Sequence, residues 1–286
     1  MNSGPIKWLR HHAVSLFAGL AIIYLLVPIA VIAVFSFNDP EGKFNYTWRG
    51  FTTQYWEDIF AIPQLNDAMV TSLQLAAVST LIATILGTMI ALALVRHQFF
   101  GRRVTNLLIV IPLATPEVVI GASLLSMFLI YGLPLGFTTL LLAHVMFSIG
   151  FVVIVVRSRL IGFDRGLEEA ARDLGATPWT TFRTITLPLL APGLMGAALL
   201  AFALSIDDFV ISNFNAGTTE TFPLYIFGAA QRGIPVQVYT LATMLFVVTV
   251  AAMALVTWQQ RRAEQMAAVR ADDPIPPLPA AAGGAS

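Results

Sequence analysis

An all-α integral membrane protein with six transmembrane helices and both termini inside is the fold this sequence predicts, and three observations predict it. Charged residues make up 11% of the chain, apolar residues 57%, and the mean hydropathy is +0.78. A soluble domain needs about a quarter charged residues to cover its surface, so most of this surface must face lipid. Six apolar runs reach the about 20 residues that a helix needs to cross a hydrocarbon core. Of the 16 basic residues, only Lys43, Arg49 and Arg232 fall outside when both termini are placed inside. That is the distribution the positive-inside rule requires. Lipid offers no partners to open backbone groups, and the runs are far longer than barrel strands, so they read as helices.

The elements follow in order. Residues 1–12 form an inner N-terminus carrying Lys7 and Arg10. The run 13–35 is too long for a cleaved signal core and lacks a clear A-x-A site, so it reads as a retained first span. Residues 36–68 form an outer loop rich in aromatics, among them Phe44, Tyr46, Trp48, Phe51, Trp56 and Phe60. Such rings favour a membrane interface, and contact with an external protein is the alternative. Further spans are expected at 69–95, 107–130, 137–156, 189–211 and 237–258, giving a membrane domain over 13–262. The tail 263–286, with Pro274, Pro276, Pro277 and Pro279, is expected to be disordered.

The inner loop 157–188 carries the most specific signal. Asp164 can cap a short helix ending near Leu174, and Gly175 supplies a residue free to take positive φ. Thr177-Pro178 restarts the chain as an N-cap followed by proline. The second helix is expected to run to about Thr186 before Leu187-Pro188 turns into the next span. Ala170 and Ala171 let another surface approach closely. Glu168, Glu169, Arg172, Asp173 and Arg183 form a polar rim, with Trp179 and Phe182 as apolar anchors. A loop packing on its own bundle is the plainer reading of the same composition.

The spacing Glu169-Ala170-Ala171, three residues, Gly175, nine residues, Ile185-Thr186-Leu187-Pro188 resembles the EAA signature of type I ABC importer permeases. The chain is most similar to their spermidine/putrescine branch, the PotC type. Pro116-Glu117-Val118-Val119-Ile120-Gly121, Ser205-Ile206-Asp207-Asp208-Phe209-Val210-Ile211-Ser212 and Phe222-Pro223-Leu224-Tyr225-Ile226 resemble further segments of that branch. Val238-Tyr239-Thr240-Leu241-Ala242-Thr243 departs from the branch's usual Ile-Asn-Ala-Leu-(Ser/Ala)-Thr. Importers of other organic cations, opines and phosphonates share much of the vocabulary. The resemblance implies the type I permease fold in a bacterial cytoplasmic (inner) membrane. It also implies a second, PotB-like permease subunit, two ABC ATPase subunits and an external substrate-binding protein. ATP and Mg would be bound by the ATPase, and Glu168, Glu169, Ala170, Ala171, Asp173, Gly175, Trp179, Phe182 and Arg183 would couple its motion to alternating access. This chain has no Walker A loop for phosphate, no cysteine, and no spacing that suggests a catalytic pair, a metal site or a cofactor.

Three acids are candidates for the substrate path. Glu117 falls near the middle of the third run, where a buried charge is costly enough to suggest function. Pro112 and Pro116 also free backbone donors there, so local capping by Glu117 is the competing account. Asp207 and Asp208 lie toward the outer end of the fifth run. Adjacent carboxylates favour a nearby cation or a shared proton, and a polyamine is such a cation. A span end with one acid capping the next loop is the alternative. A proton-coupled secondary transporter could use the same acids as relays, but would leave the inner motif unexplained. His144 reads as a satisfied interhelical residue.

Overall fold

The computed structural model describes residues 5–162 and 164–272. Helix α1 spans Pro5–Phe35, a short α2 spans Gln54–Glu57, and α3 spans Pro63–Arg96. Helices α4 (Arg102–Ala114) and α5 (Glu117–Ile130) precede α6 (Phe137–Ile161). Next come α7 (Gly166–Asp173) and α8 (Pro178–Thr181), and a π-helical stretch Phe182–Thr186 leads into α9 (Leu187–Asp207). Helices α10 (Val210–Asn215), α11 (Phe222–Ala230) and α12 (Val236–Asp272) complete the chain.

The result is a multi-span α-helical membrane fold. Among the described residues, five helices are long and apolar enough to cross a membrane, or six when the bent pair α4–α5 counts as one span. The expected single span at 107–130 is corrected here: α4 and α5 meet at 114°. The cause is local. Thr115 is extended (φ −91°, ψ 136°), as the residue before a proline prefers, and Pro116 then starts α5 in a new direction. Two boundaries also move. The fifth span ends at Asp207 rather than near 211, because Asp208 leaves the helix at ψ 116°. Helix α12 continues through residues 263–272, since Gln-Gln-Arg-Arg-Ala-Glu-Gln-Met-Ala-Ala favours helix and no proline intervenes before Pro274. The rest of the expected tail, 273–286, lies outside the described residues.

Within residues 1–241, α3, α6 and α9 pack side by side. Ala83 and Ala91 of α3, Val152, Val153 and Val156 of α6, and Leu190, Ala197 and Ala201 of α9 form one buried cluster. Ala83, Gly87 and Ala91 repeat every four residues, so they share one helix face. A Cβ on Gly87 would lie 2.6 Å from Val152 Cγ1. Lipid-embedded helices gain little from the hydrophobic effect, so small residues that bring backbones into van der Waals contact drive their packing. A second cluster joins Ile120, Leu124 and Phe128 of α5 to Ala143 and Phe147 of α6 and Ile211 of α10. Helix α1 keeps its apolar side chains exposed from Val14 to Val34, leaving them to lipid or another subunit.

The 36–53 stretch is organised by polar groups as well as rings. Buried Asn38 donates from Nδ2 to Asn45 Oδ1 (2.6 Å) and to the Thr47 carbonyl (2.8 Å), and its Oδ1 accepts the Arg49 N–H at 2.8 Å. Phe37 stacks between Phe51 and Trp56, at 5.5 Å and 5.2 Å.

Candidate functional site

The segment between α6 and α9 builds a compact corner. Asp164 Oδ1 accepts the Gly166 N–H at 2.9 Å and opens α7. At the other end the Gly175 N–H bonds the Arg172 carbonyl (2.8 Å) and the Ala176 N–H bonds that of Ala171 (3.0 Å). This is a Schellman closure with Gly175 at φ +87°. Thr177 Oγ1 then accepts the Thr180 N–H at 3.2 Å, with Pro178 at the first turn of α8.

The expected turn at Leu187-Pro188 is absent. Pro188 has no N–H and would leave an α-helical carbonyl unpaired one turn earlier. The chain instead passes through the π-helical Phe182–Thr186 and stays helical into α9; π-helix is rare and occurs mostly as such short stretches within a longer helix.

Glu169, Ala170, Asp173, Gly175 and Arg183 are exposed, and Ala171 is half-buried. Trp179 is 67% exposed and stacks on the half-buried Phe182 at 5.7 Å. Leu174 is 90% exposed, an open apolar side chain to which the sequence reading gave no role; its place just before the left-handed glycine was the available signal.

Glu168 departs from expectation. It is 4% exposed rather than part of a rim, and its carboxylate accepts hydrogen bonds from Arg96 Nη1 and Thr186 Oγ1. In the sequence Arg96 counts only among the inner basic residues that set the orientation, although it is the basic residue that ends a long apolar run. A cleft of ≈ 190 Å³ beside the pair is lined by Leu92, Arg96, His97, Glu168, Arg172, Pro178, Thr181, Phe182 and Thr186.

Burial alone would push the Glu168 carboxyl up. Hydrogen bonds from Arg96 and Thr186, with the charges of Arg96 and Arg172, outweigh it and hold the group below the ordinary glutamate range. The folded value lies below the unfolded one. The stabilisation is therefore full above the ordinary glutamate pKa and is lost as pH falls through the folded value. Amide protection across α7, measured relative to the intrinsic exchange rate at each pH, should fall in that acidic window, and Glu168→Gln should remove this fall. An unchanged pH profile in the variant would count against the pair.

The remaining candidates separate. Asp208 turns inward, with its side chain 5% exposed. Its carboxylate caps α10 by accepting the Ile211 N–H (3.2 Å), the Ser212 N–H (2.8 Å) and the Ser212 hydroxyl (2.8 Å). His144 of α6 lies 3.4 Å from the same carboxylate. Its Nε2 is 3.0 Å from Ser212 Oγ and its Nδ1 2.7 Å from Ser205 Oγ, which is 3.0 Å from Ser79 Oγ of α3. The Ser212 hydroxyl donates to Asp208, which leaves Ser212 Oγ to accept from His144 Nε2–H.

Asp207, by contrast, is exposed at the last residue of α9. The two neighbours therefore stand in different surroundings, Asp208 bonded to the start of α10 and Asp207 open at the end of α9. Glu117 falls at the bend between α4 and α5. It is exposed in the first turn of α5, and neither a capping bond nor another hydrogen bond to it is formed among the described residues.

Comparison with known proteins bears on this arrangement. The family model described as "Binding-protein-dependent transport system inner membrane component" matches residues 83–265. The spermidine/putrescine transport system permease protein PotC of Haemophilus influenzae is 38% identical over 233 residues, covering 81% of this chain and 90% of that protein. The putrescine transport system permease protein PotI of Escherichia coli is 36% identical over 253 residues, covering 86% and 89%. Among solved structures, a chain of a bacterial ABC transporter that imports the acidic polysaccharide alginate superposes with a TM-score of 0.65. It covers 90% of this chain and 98% of that one at 18% identity, a likeness of fold alone.

Proposed function

We propose a function from one premise: the chain belongs to the family of binding-protein-dependent transport system inner membrane components, the ABC importer permeases. It is the permease subunit of an ATP-driven importer of polyamines such as spermidine and putrescine. The observation that carries this reading is identity of 36–38% to PotC and PotI proteins over more than four-fifths of the chain. Family membership places it with ATP-driven importers rather than proton-coupled carriers.

In this reading both termini and the α7–α8 corner are cytoplasmic, and the α4–α5 pair forms one interrupted span among six. A second permease subunit completes the path, two ATPase subunits bind ATP and Mg, and an external binding protein delivers the amine. The corner docks on the ATPase through Glu169, Ala170, Ala171, Asp173, Leu174, Gly175, Trp179 and Arg183. The exposed carboxylates of Glu117 and Asp207 line the path, while Asp208 holds the break that sets Asp207 at the end of α9.

The test is reconstitution of the four-component complex and measurement of ATP-driven, binding-protein-dependent spermidine uptake. Uptake of another organic cation, an opine or a phosphonate in its place would support the alternative cargo suggested by Val238–Thr243. Glu117→Gln and Asp207→Asn keep shape and remove charge. Each should slow spermidine uptake by about ten- to hundred-fold, the scale of losing one charge-assisted contact of about 1.5–3 kcal/mol. Complex yield should stay unchanged. Full uptake by either variant would remove that residue from the path.

A further inference from the structure

We propose that Glu168 is a positioning residue that locks the docking corner to the ends of two spans, so that displacement of the corner is passed to the bundle rather than absorbed in the loop. This rests on the coupling reading above, but assigns Glu168 to transmission within the chain instead of contact with the ATPase.

The geometry is specific. Helix α7 is largely open to solvent, yet Glu168 is buried within it. One carboxylate oxygen accepts from Arg96, the last residue of α3, and the other from Thr186, the last residue before α9. A single side chain thus ties together segments 72 and 18 residues away. Arg165, immediately before α7, adds a parallel tie by donating from Nη2 to the Val95 carbonyl at 3.1 Å.

An apolar side chain could fill such a site as stably as an ion pair, because burying charges costs most of what their attraction returns. Two charge-assisted bonds in fixed directions add something packing does not, which is orientation. The corner cannot rotate against α3 or slide along α9 without breaking one of them. The bonds lie on the side of α7 facing the bundle, leaving Glu169 and Leu174 free to meet a partner. One glutamate therefore holds and its neighbour docks.

The chain has no cysteine, so introduced cysteines are its only labelling sites. Spin labels at Leu167→Cys and Gln98→Cys, both exposed positions, would report the distance in the assembled complex between α7 and the chain two residues beyond the end of α3. With Glu168 intact, one narrow distribution is expected, moving as a unit on ATP binding. Glu168→Gln should broaden it and lower spermidine uptake per ATP hydrolysed by about five-fold or more, the usual size of a site-to-site coupling. Complex assembly and basal ATPase activity should persist.

The exchange Arg96→Glu with Glu168→Arg should recover part of the uptake per ATP lost in either single variant. An unbroadened distribution with unchanged uptake per ATP in Glu168→Gln would overturn the proposal. The docking reading itself is tested separately by Glu169→Lys. If that variant fails to dock while Glu168→Gln couples normally, only the transmission role falls. If Glu169→Lys docks and transports normally, the coupling reading falls with it.

Discussion

Gly175→Val is expected to abolish uptake while leaving the chain inserted and assembled. Nothing lies within 4 Å of a Cβ built on Gly175, so the cost is not a clash inside this subunit. It is the backbone: at φ +87° a β-branched residue is an outlier costing about 1–3 kcal/mol. Relieving that strain would open the Schellman closure and re-aim Leu174 and the Thr177-Pro178 restart together. Asn tolerates the left-handed region better than other residues, so Gly175→Asn should retain much more uptake than Gly175→Val. Glu169→Lys should fail for another reason, by reversing an exposed charge without touching the corner's own bonds. Each of the damaging variants should lose uptake by about ten-fold or more, read as binding-protein-dependent transport per assembled complex. Normal uptake in both would remove the corner from the coupling pathway.

The second large effect concerns stability. Asp208→Ala leaves the Ile211 and Ser212 N–H groups and the Ser212 hydroxyl facing an apolar methyl in the interior. Removing one partner from a buried charged network costs about 3–5 kcal/mol. Thermal unfolding of the purified complex should show a clear loss for Asp208→Ala and for His144→Ala. Asp207→Asn, one residue away, should leave the midpoint unchanged and affect only transport. If the Asp207 and Asp208 variants unfold alike, the division of labour between these neighbours is wrong.

That division shows what the sequence could and could not disclose. Hydropathy counts residues and is blind to direction. It located α1, α3, α6 and the apolar part of α12 well, but merged α4 with α5 into one run. The bend depends on Thr115 and Pro116, and although the prolines were visible, the angle they impose was not. Asp207 and Asp208 look equivalent in sequence, and the break at Asp208 sends one carboxylate outward and the other inward. The corner was legible because caps and a left-handed glycine are local devices with local signatures. Glu168 looked like its neighbour Glu169 because its partners, Arg96 and Thr186, are distant or unremarkable in sequence. Long-range contacts of that kind become visible only when α3 and α9 are placed beside α7.

Because the π-helical stretch replaces a turn, residues Pro178–Asp207 form 30 residues of unbroken helical chain, about 45 Å at 1.5 Å per residue. In the coupling role proposed above, such a rod would act as a lever. From Thr186 to Asp207 its arm is about 32 Å, so a tilt of about 5° at the corner sweeps Asp207 through about 3 Å. A push at one end, small on the scale of a side chain, becomes at the other a shift as large as the difference between touching a solute and releasing it. The π-helical stretch and Pro192 are where such a rod would flex, and stiffness there decides how much of the stroke arrives.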